Sequence, residues 1–294
     1  MATPLDRFLD LLDLEAIEVN IFRGASRRLD TARVFGGQVL AQALVAAGRT
    51  VEEGRMAHSL HAYFILPGDV GAPIVYQVER LRDGGSFATR RVTAVQFGRP
   101  IFNAAVSFHR DEDGLEHQDA MPGDVPPPEQ TPSEVELGRA LAELLGERMP
   151  ERLRSFLLRD RPIDFRPIDP VNPLAPEPRP AQARTWLRAD GALPDAPLIH
   201  QAILAYASDY GLLSTALLPH ARSVFQPTMQ AASLDHAIWF HRPFRADAWL
   251  LYTMDSPTAA GARAFTRGSV YDGRGRLVAS TAQEGLVRVV QPRS

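Results

Sequence analysis

The feature that most narrows the fold of this chain is that it repeats itself. At an offset of about 175 residues, HSLHAYF (58–64) lies against LDHAIWF (234–240), which sets His61-Ala62 on His236-Ala237. IVYQVE (74–79) lies against LLYTMD (250–255), and GSFATRRV (85–92) against GARAFTRGS (261–269), which sets Arg91 on Arg267. The turn Gly98-Arg99 falls on Gly275-Arg276. Each copy reads as a strand, a helix and then four strands. That order implies an α+β unit in which an antiparallel sheet curls around its helix. Two such units can join their sheets edge to edge, which covers strand edges that would otherwise be exposed.

Within this frame the apolar spacing predicts a short amphipathic helix over 5–17 through Leu5, Phe8, Leu9 and Leu12, then strand-like alternation at Ile17, Val19, Ile21 and Arg23. Phe35-Gly36-Gly37 breaks the chain as a turn before a helix at 38–47. Strands are expected at 57–66, 74–82, 86–97 and 101–110, separated by Pro67-Gly68-Asp69, Asp83-Gly84-Gly85 and Gly98-Arg99-Pro100. Residues 111–131 are acidic and then proline-rich, and read as a linker. Ser133 is a plausible cap for a helix at 133–145. The proline-rich run 162–180 is expected to cross the surface, before a strand at 182–189 and a helix at 198–210. Three parts result: a first unit at 1–115, a linker with a helix at 116–180, and a second unit at 181–294.

The helix LIHQAILAYASDY (198–210) carries the sharpest local signal. Ile199, Ala202, Ile203 and Tyr206 form an apolar stripe, and Asp209, seven residues past Ala202, returns to it at about 100° per residue. A buried carboxylate needs partners or a raised pKa. The helix at 38–47 has no acid, and Val106 of the first copy aligns with Gln283 of the second. On this reading the second unit carries chemistry and the first carries structure.

Composition removes several classes. The 294 residues include no cysteine, and the 32 basic residues are all arginine, so thiolate chemistry, a Walker A lysine, Schiff bases and pyridoxal chemistry are excluded. A net charge of −3 gives no nucleic-acid footprint, and no apolar run spans a membrane. Neither a cofactor nor a metal is implied. The acidic N-terminus is not a signal peptide, and Gln291-Pro292-Arg293-Ser294 is not a peroxisomal signal. An arginine bias is what a GC-rich bacterial genome produces, so a cytoplasmic bacterial enzyme is the expectation. His58, His61, His236 and His241 are candidate bases, but a residue kept in both copies, as His61 and His236 align, reads as structural. Arg242 and Arg267 are candidate phosphate contacts without a distinguishing signal.

RVFGGQVLAQAL (33–44), HSLHAYFILPGD (58–69), LAYASDYGLL (204–213), SLDHAIWFHRPF (233–244) and LVASTAQEG (277–285) resemble, in order and over nearly the whole chain, the bacterial acyl-CoA thioesterase II family. The resemblance implies two tandem hot-dog units and hydrolysis of medium- or long-chain acyl-CoA to free acid and CoA. It also implies a homodimer or homotetramer, and an Asp, a Ser or Thr, and a Gln around a water. The matching positions are Asp209, Ser233 and Gln283. Those residue types suit hydrolysis by a bound water, because a carboxylate can take a proton from water while a hydroxyl and an amide hold the water and stabilise the carboxylate. Backbone N–H groups at a helix start are the expected oxyanion donors. Two alternatives stay open, a double hot-dog enoyl-CoA hydratase, for which Asp169-Pro170-Val171-Asn172-Pro173 is a superficial match, and a non-catalytic acyl-CoA-binding protein. An α/β-hydrolase needs a G-x-S-x-G elbow, which the sequence lacks.

Overall fold

Helix formation begins where the sequence offers a cap. Thr3 accepts the Asp6 N–H and Asp6 reaches back to Thr3, so helix α1 (Pro4–Leu12) starts on a capping box and buries Leu5, Phe8, Leu11 and Leu12. The structure, a computed structural model, describes residues 2–26 and 33–290; the tail 291–294, where the peroxisomal-signal reading falls, lies outside them. Strands β1 (Glu15–Glu18) and β2 (Ile21–Gly24), helix α2 (Gly36–Gly48), and strands β3 (Arg55–Phe64), β4 (Ile74–Asp83), β5 (Phe87–Gln96) and β6 (Arg99–Arg110) complete the first unit. Helices α3 (Glu134–Leu145) and α4 (Glu151–Leu158) form an insertion. The second unit has strands β7 (Ile163–Pro167) and β8 (Gln182–Ala189), helix α5 (Pro197–Ser208), and strands β9 (Met229–Ser233), β10 (Asp235–Phe240), β11 (Leu250–Ala260), β12 (Arg263–Asp272) and β13 (Leu277–Val289). No described helix is long and apolar enough to cross a membrane.

One sheet runs β1-β2-β4-β5-β6-β3-β10-β13-β12-β11-β8-β7, with β9 added beside β13. The order is palindromic about the β3·β10 pair, so two curled sheets meet there edge to edge. Each unit puts two strands, not the expected one, before its central helix, and four strands follow that helix in the first unit and five in the second.

Register corrects one detail of the repeat. At the centre, His236 pairs with Ala62 and Ala237 with His61. Cross-strand partners share a face and neighbours along a strand alternate, so His236 and His61 point to opposite faces. His236 is fully buried and His61 is exposed. Tyr76 and Tyr252, and Arg91 and Arg267, correspond at an offset of 176, which sets Leu60, not His61, on His236. Aligning the two histidines was a one-residue slip, and a slip of one inverts every face. Arg90 pairs with Val106 as Thr266 pairs with Gln283, so the match of Val106 to Gln283 stands. Leu60 in turn pairs with Val106. The apolar couple Leu60 and Val106 in the first unit is therefore His236 and Gln283 in the second.

The two central helices lie side by side and run in opposite directions. A Cβ on Gly37 would fall 2.3 Å from the Tyr206 carbonyl oxygen, and one on Gly48 would fall 2.6 Å from the Leu198 side chain. Small residues at these points let the start of α2 press on the end of α5. Helix α5 is buried from His200 to Ser208 with no solvent-facing side, because the sheet covers one flank and α2 another. The expected single stripe is therefore absent. The helix also ends earlier than expected, and Asp209 is its C-cap (φ −78°, ψ −11°) rather than a member of the last turn.

The connecting segment differs from expectation in two places. The proline-rich run 162–180 does not stay on the surface: β7 lies within it and buries Ile163 and Phe165. Its terminal Pro167 is tolerated because β7 is an edge strand. Helix α4 gave no clear sequence signal, being eight residues long and burying only Leu153 and Leu157. Helix α3 does begin on Ser133, through a capping box with Glu136.

Candidate active site

Three elements deliver the three side chains singled out in the sequence. Gln283 lies inward on β13 and is fully buried; Ser233 ends β9, paired with Gly285 of β13; Asp209 caps α5. The Gln283 amide Nε2 donates to Asp209 Oδ1 at 2.7 Å, and Ser233 Oγ donates to the same oxygen at 3.3 Å. Gln283 Nε2 also lies 3.1 Å from Ser233 Oγ. Each bond to a charged acceptor contributes about 1.5–3 kcal/mol, which offsets the desolvation of a partly buried carboxylate. A carboxylate oxygen only accepts, so the amide nitrogen, not its oxygen, must face Asp209. That leaves Gln283 Oε1 buried with no hydrogen-bond partner among the described residues.

The first unit also comes up against these side chains, a contact that the division into a chemical half and a structural half did not anticipate. A Cβ on Gly36 would lie 2.7 Å from Asp209 Oδ2 and 2.9 Å from the Phe64 ring. Gly36 opens α2, and its N-cap residue Phe35 supplies no side-chain cap. The first N–H groups of a helix have no intrahelical acceptor, so the positive end of α2 is presented beside the carboxylate. The sequence reading took Gly36-Gly37 as a turn only; the signal it passed over was a pair of glycines abutting a helix start.

His236 sits behind Gln283. Its Nδ1 is 3.2 Å from Gln283 Nε2 and its Nε2 is 2.9 Å from Ser208 Oγ, which donates to the Ala205 carbonyl. Burial pushes the imidazole below its ordinary value, and the opposing pull of Asp209 is the smaller effect. Asp235, the preceding residue, instead accepts the Glu284 N–H at 2.6 Å and takes no part in this cluster. Tyr252, fully buried, donates to the Ser208 carbonyl at 3.1 Å and holds the end of α5 from below.

The insertion anchors the residue after Asp209. Tyr210 donates to Glu134 of α3, receives a bond from Arg161, and stacks on Phe165 with ring centroids 4.4 Å apart. Burial pushes its phenol well above the usual range. Tyr210 and Gly211 also line an apolar cavity of about 520 Å³, walled by Leu137, Leu141, Phe156, Leu217 and Phe225. A wider cleft of about 1110 Å³ at Asp124, Arg184 and Arg267 includes none of Asp209, Ser233 and Gln283. Of its three arginines, Arg184 pairs with Asp124 and Asp169, Arg267 pairs with Asp255, and Arg179 donates to the Asp169 carbonyl. Arg242 bonds the Leu277 carbonyl and Glu116. Among the described residues no group of three or more His, Asp or Glu is arranged to hold a metal.

A single sheet built from two hot-dog units, with a carboxylate, a hydroxyl and an amide converging where the second central helix meets the start of the first, defines a double hot-dog protein of the thioesterase type. Residues 161–286 match the family model described as acyl-CoA thioesterase, and residues 25–109 match the acyl-CoA thioesterase N-terminal domain. The chain is 40% identical to acyl-CoA thioesterase 2 of Haemophilus influenzae over 98% of its own length and 99% of that protein. It superimposes on the crystal structure of acyl-CoA thioesterase II TesB2 from Mycobacterium marinum with a TM-score of 0.78, at 42% identity, covering 98% of this chain and 99% of the other. A hot-dog-fold protein of unknown function from Alicyclobacillus acidocaldarius gives a TM-score of 0.76 at 21% identity, covering 97% and 99%, which shows the shared fold. The chain belongs to the acyl-CoA thioesterase II family.

Proposed function

We propose that this enzyme hydrolyses medium- to long-chain acyl-CoA to free fatty acid and CoA, with Asp209, Ser233 and Gln283 holding the attacking water. The observation that carries the mechanism is the mutual contact of the three side chains, with Gln283 Oε1 left as a buried acceptor beside them. One water O–H is donated to Asp209 and the other to Gln283 Oε1, and the freed lone pair attacks the thioester carbonyl. The start of α2, where the N-cap residue Phe35 makes no side-chain bond, receives the charge that develops on the carbonyl oxygen. Collapse of the tetrahedral species breaks the C–S bond, and the proton held by Asp209 passes to the departing thiolate. This chemistry uses no metal or cofactor.

The 520 Å³ apolar cavity that starts at Tyr210 supports assigning it to the acyl chain; it falls within the range of small-molecule sites. We also infer three units at 1–115, 116–180 and 181–294 in a cytoplasmic homodimer or homotetramer. Strands β1 and β7 leave an edge at each end of the sheet, and such edges favour association. Light scattering on purified protein measures the assembly.

The deciding experiment is thiol release from a panel of acyl-CoAs of graded length. Asp209→Ala should abolish turnover while leaving the melting curve cooperative. An active Asp209→Ala protein would overturn the mechanism, and loss of conjugated absorbance with enoyl-CoA would point to hydration instead.

A further inference from the structure

We propose that His236 is a positioning residue that fixes the orientation of the Gln283 side chain. The inference rests on the role given to Gln283 above. A primary amide can turn over, exchanging nitrogen and oxygen, and its two orientations differ little in shape. Asp209 Oδ1 favours the nitrogen on one side. His236 acts on the other side, where Nδ1 lies 3.2 Å from the same amide nitrogen. An imidazole nitrogen that accepts from an amide cannot carry a proton, so the ring's hydrogen is on Nε2, facing Ser208 Oγ at 2.9 Å. Ser208 sends its own proton to the Ala205 carbonyl at 3.0 Å, which leaves its oxygen free to accept from the ring. The chain of donors thus runs one way, from Gln283 to His236 to Ser208 to the backbone of α5. Reversing any member would set two donors or two acceptors face to face. Asp209 Oδ1, Ser233 Oγ and His236 Nδ1 are three acceptors around the two hydrogens of the amide nitrogen, so the nitrogen is held on that side and the oxygen is turned to the other, where it has no partner among the described residues and can accept from the attacking water.

The repeat supplies an independent argument. The corresponding positions in the first unit are Leu60 and Val106, both fully buried and cross-strand partners. In a buried layer a lone histidine would leave its Nδ1 without a donor, a cost that pairing it with Gln283 avoids. The two polar residues therefore belong to one device. The sequence comparison concealed it by setting His236 on the exposed His61.

The test is steady-state thiol release from wild-type protein and from His236→Leu, His236→Asn, Gln283→Ala and the double variant His236→Leu/Gln283→Ala, each checked by thermal unfolding. His236→Leu removes the acceptor, and kcat should fall about tenfold with KM within about twofold of wild type. The amide oxygen of Asn can occupy the place of Nδ1, so His236→Asn should recover kcat to within about threefold of wild type. The double variant should be within about twofold of Gln283→Ala alone, because His236 acts only through that side chain. Wild-type kcat in His236→Leu, or losses that multiply in the double variant, would overturn the inference while leaving the catalytic reading intact. Wild-type activity in Gln283→Ala would overturn both. Should the Leu variant fail to fold, Ser208→Ala decides: it releases the ring's hydrogen and should lower kcat at unchanged KM, and an unchanged kcat would refute the donor chain.

Discussion

Gly36→Ala separates the geometry of the site from the stability of the fold. Gly36 is the first residue of α2, and alanine there is favoured by helix propensity by up to about 1 kcal/mol. Its φ is not in the left-handed region, so the backbone accepts a side chain without strain. The new methyl, however, would sit 2.7 Å from Asp209 Oδ2 and 2.9 Å from two ring atoms of Phe64, where ordinary contact begins at 3.4 Å. Relief on the carboxylate side requires a shift of about 0.7 Å, on the scale at which a misplaced catalytic group loses up to about 100-fold in rate. A shift of the carboxylate by that much disturbs the 2.7 Å bond that its other oxygen accepts from Gln283. The expected result is a melting temperature equal to or above wild type with kcat reduced about 10- to 100-fold in the thiol-release assay. The same change at Gly85, which has no atom within 4 Å, should leave kcat unaltered. A Gly36→Ala enzyme of wild-type kcat would refute the placement of the α2 start against a working carboxylate.

Two further outcomes are expected. Leu141→Trp narrows the apolar cavity, so kcat/KM should fall more for the longest acyl-CoAs in a graded series than for the shortest; an even loss across the series would remove the cavity from the acyl path. Burial holds His236 and His200 below the ordinary histidine value near 6.5 in the folded state. The unfolded chain therefore takes up protons first as pH falls, and stability is full above that value and declines below it. Melting temperatures at pH 7.5 and pH 5.0 should differ in that direction, and equal values would contradict it. Asp247, held near 2 chiefly by the hydrogen bond from Arg245, acts in a separate window: its contribution is full above the ordinary carboxylate range, declines as pH falls below that range and is gone below about 2.

The repeat made the two units, the edge-to-edge join of their sheets and both central helices readable, because duplication doubles each weak local signal. Tyr76 on Tyr252 and Arg91 on Arg267 fixed a register that the structure keeps. The histidine match failed because a single shared His-Ala dipeptide outweighed alternation, and alternation alone decides which residues face the helices. Asp209 was found through a stripe that does not exist, since α5 is buried all round; what singled it out was an acid at the end of an otherwise apolar segment. Gly36 stayed hidden because its meaning depends on the antiparallel packing of α2 against α5, a contact between residues about 170 positions apart. Strand β7 and helix α4 were missed for a local reason: each is short, bounded by prolines, and buries only two side chains.

The β3·β10 seam has an evolutionary consequence. A symmetric pair of separate subunits must place every substitution in both copies, so a polar cluster gained on one side is imposed on the other. Joining the copies in one polypeptide lifts that restriction. One side could then keep Leu60 and Val106 as packing while the other acquired His236 and Gln283, yet the glycine-led helix of the plain copy still reaches across the junction to Asp209. The candidate site is thus drawn from both units, and neither unit severed from the other would hold all of it.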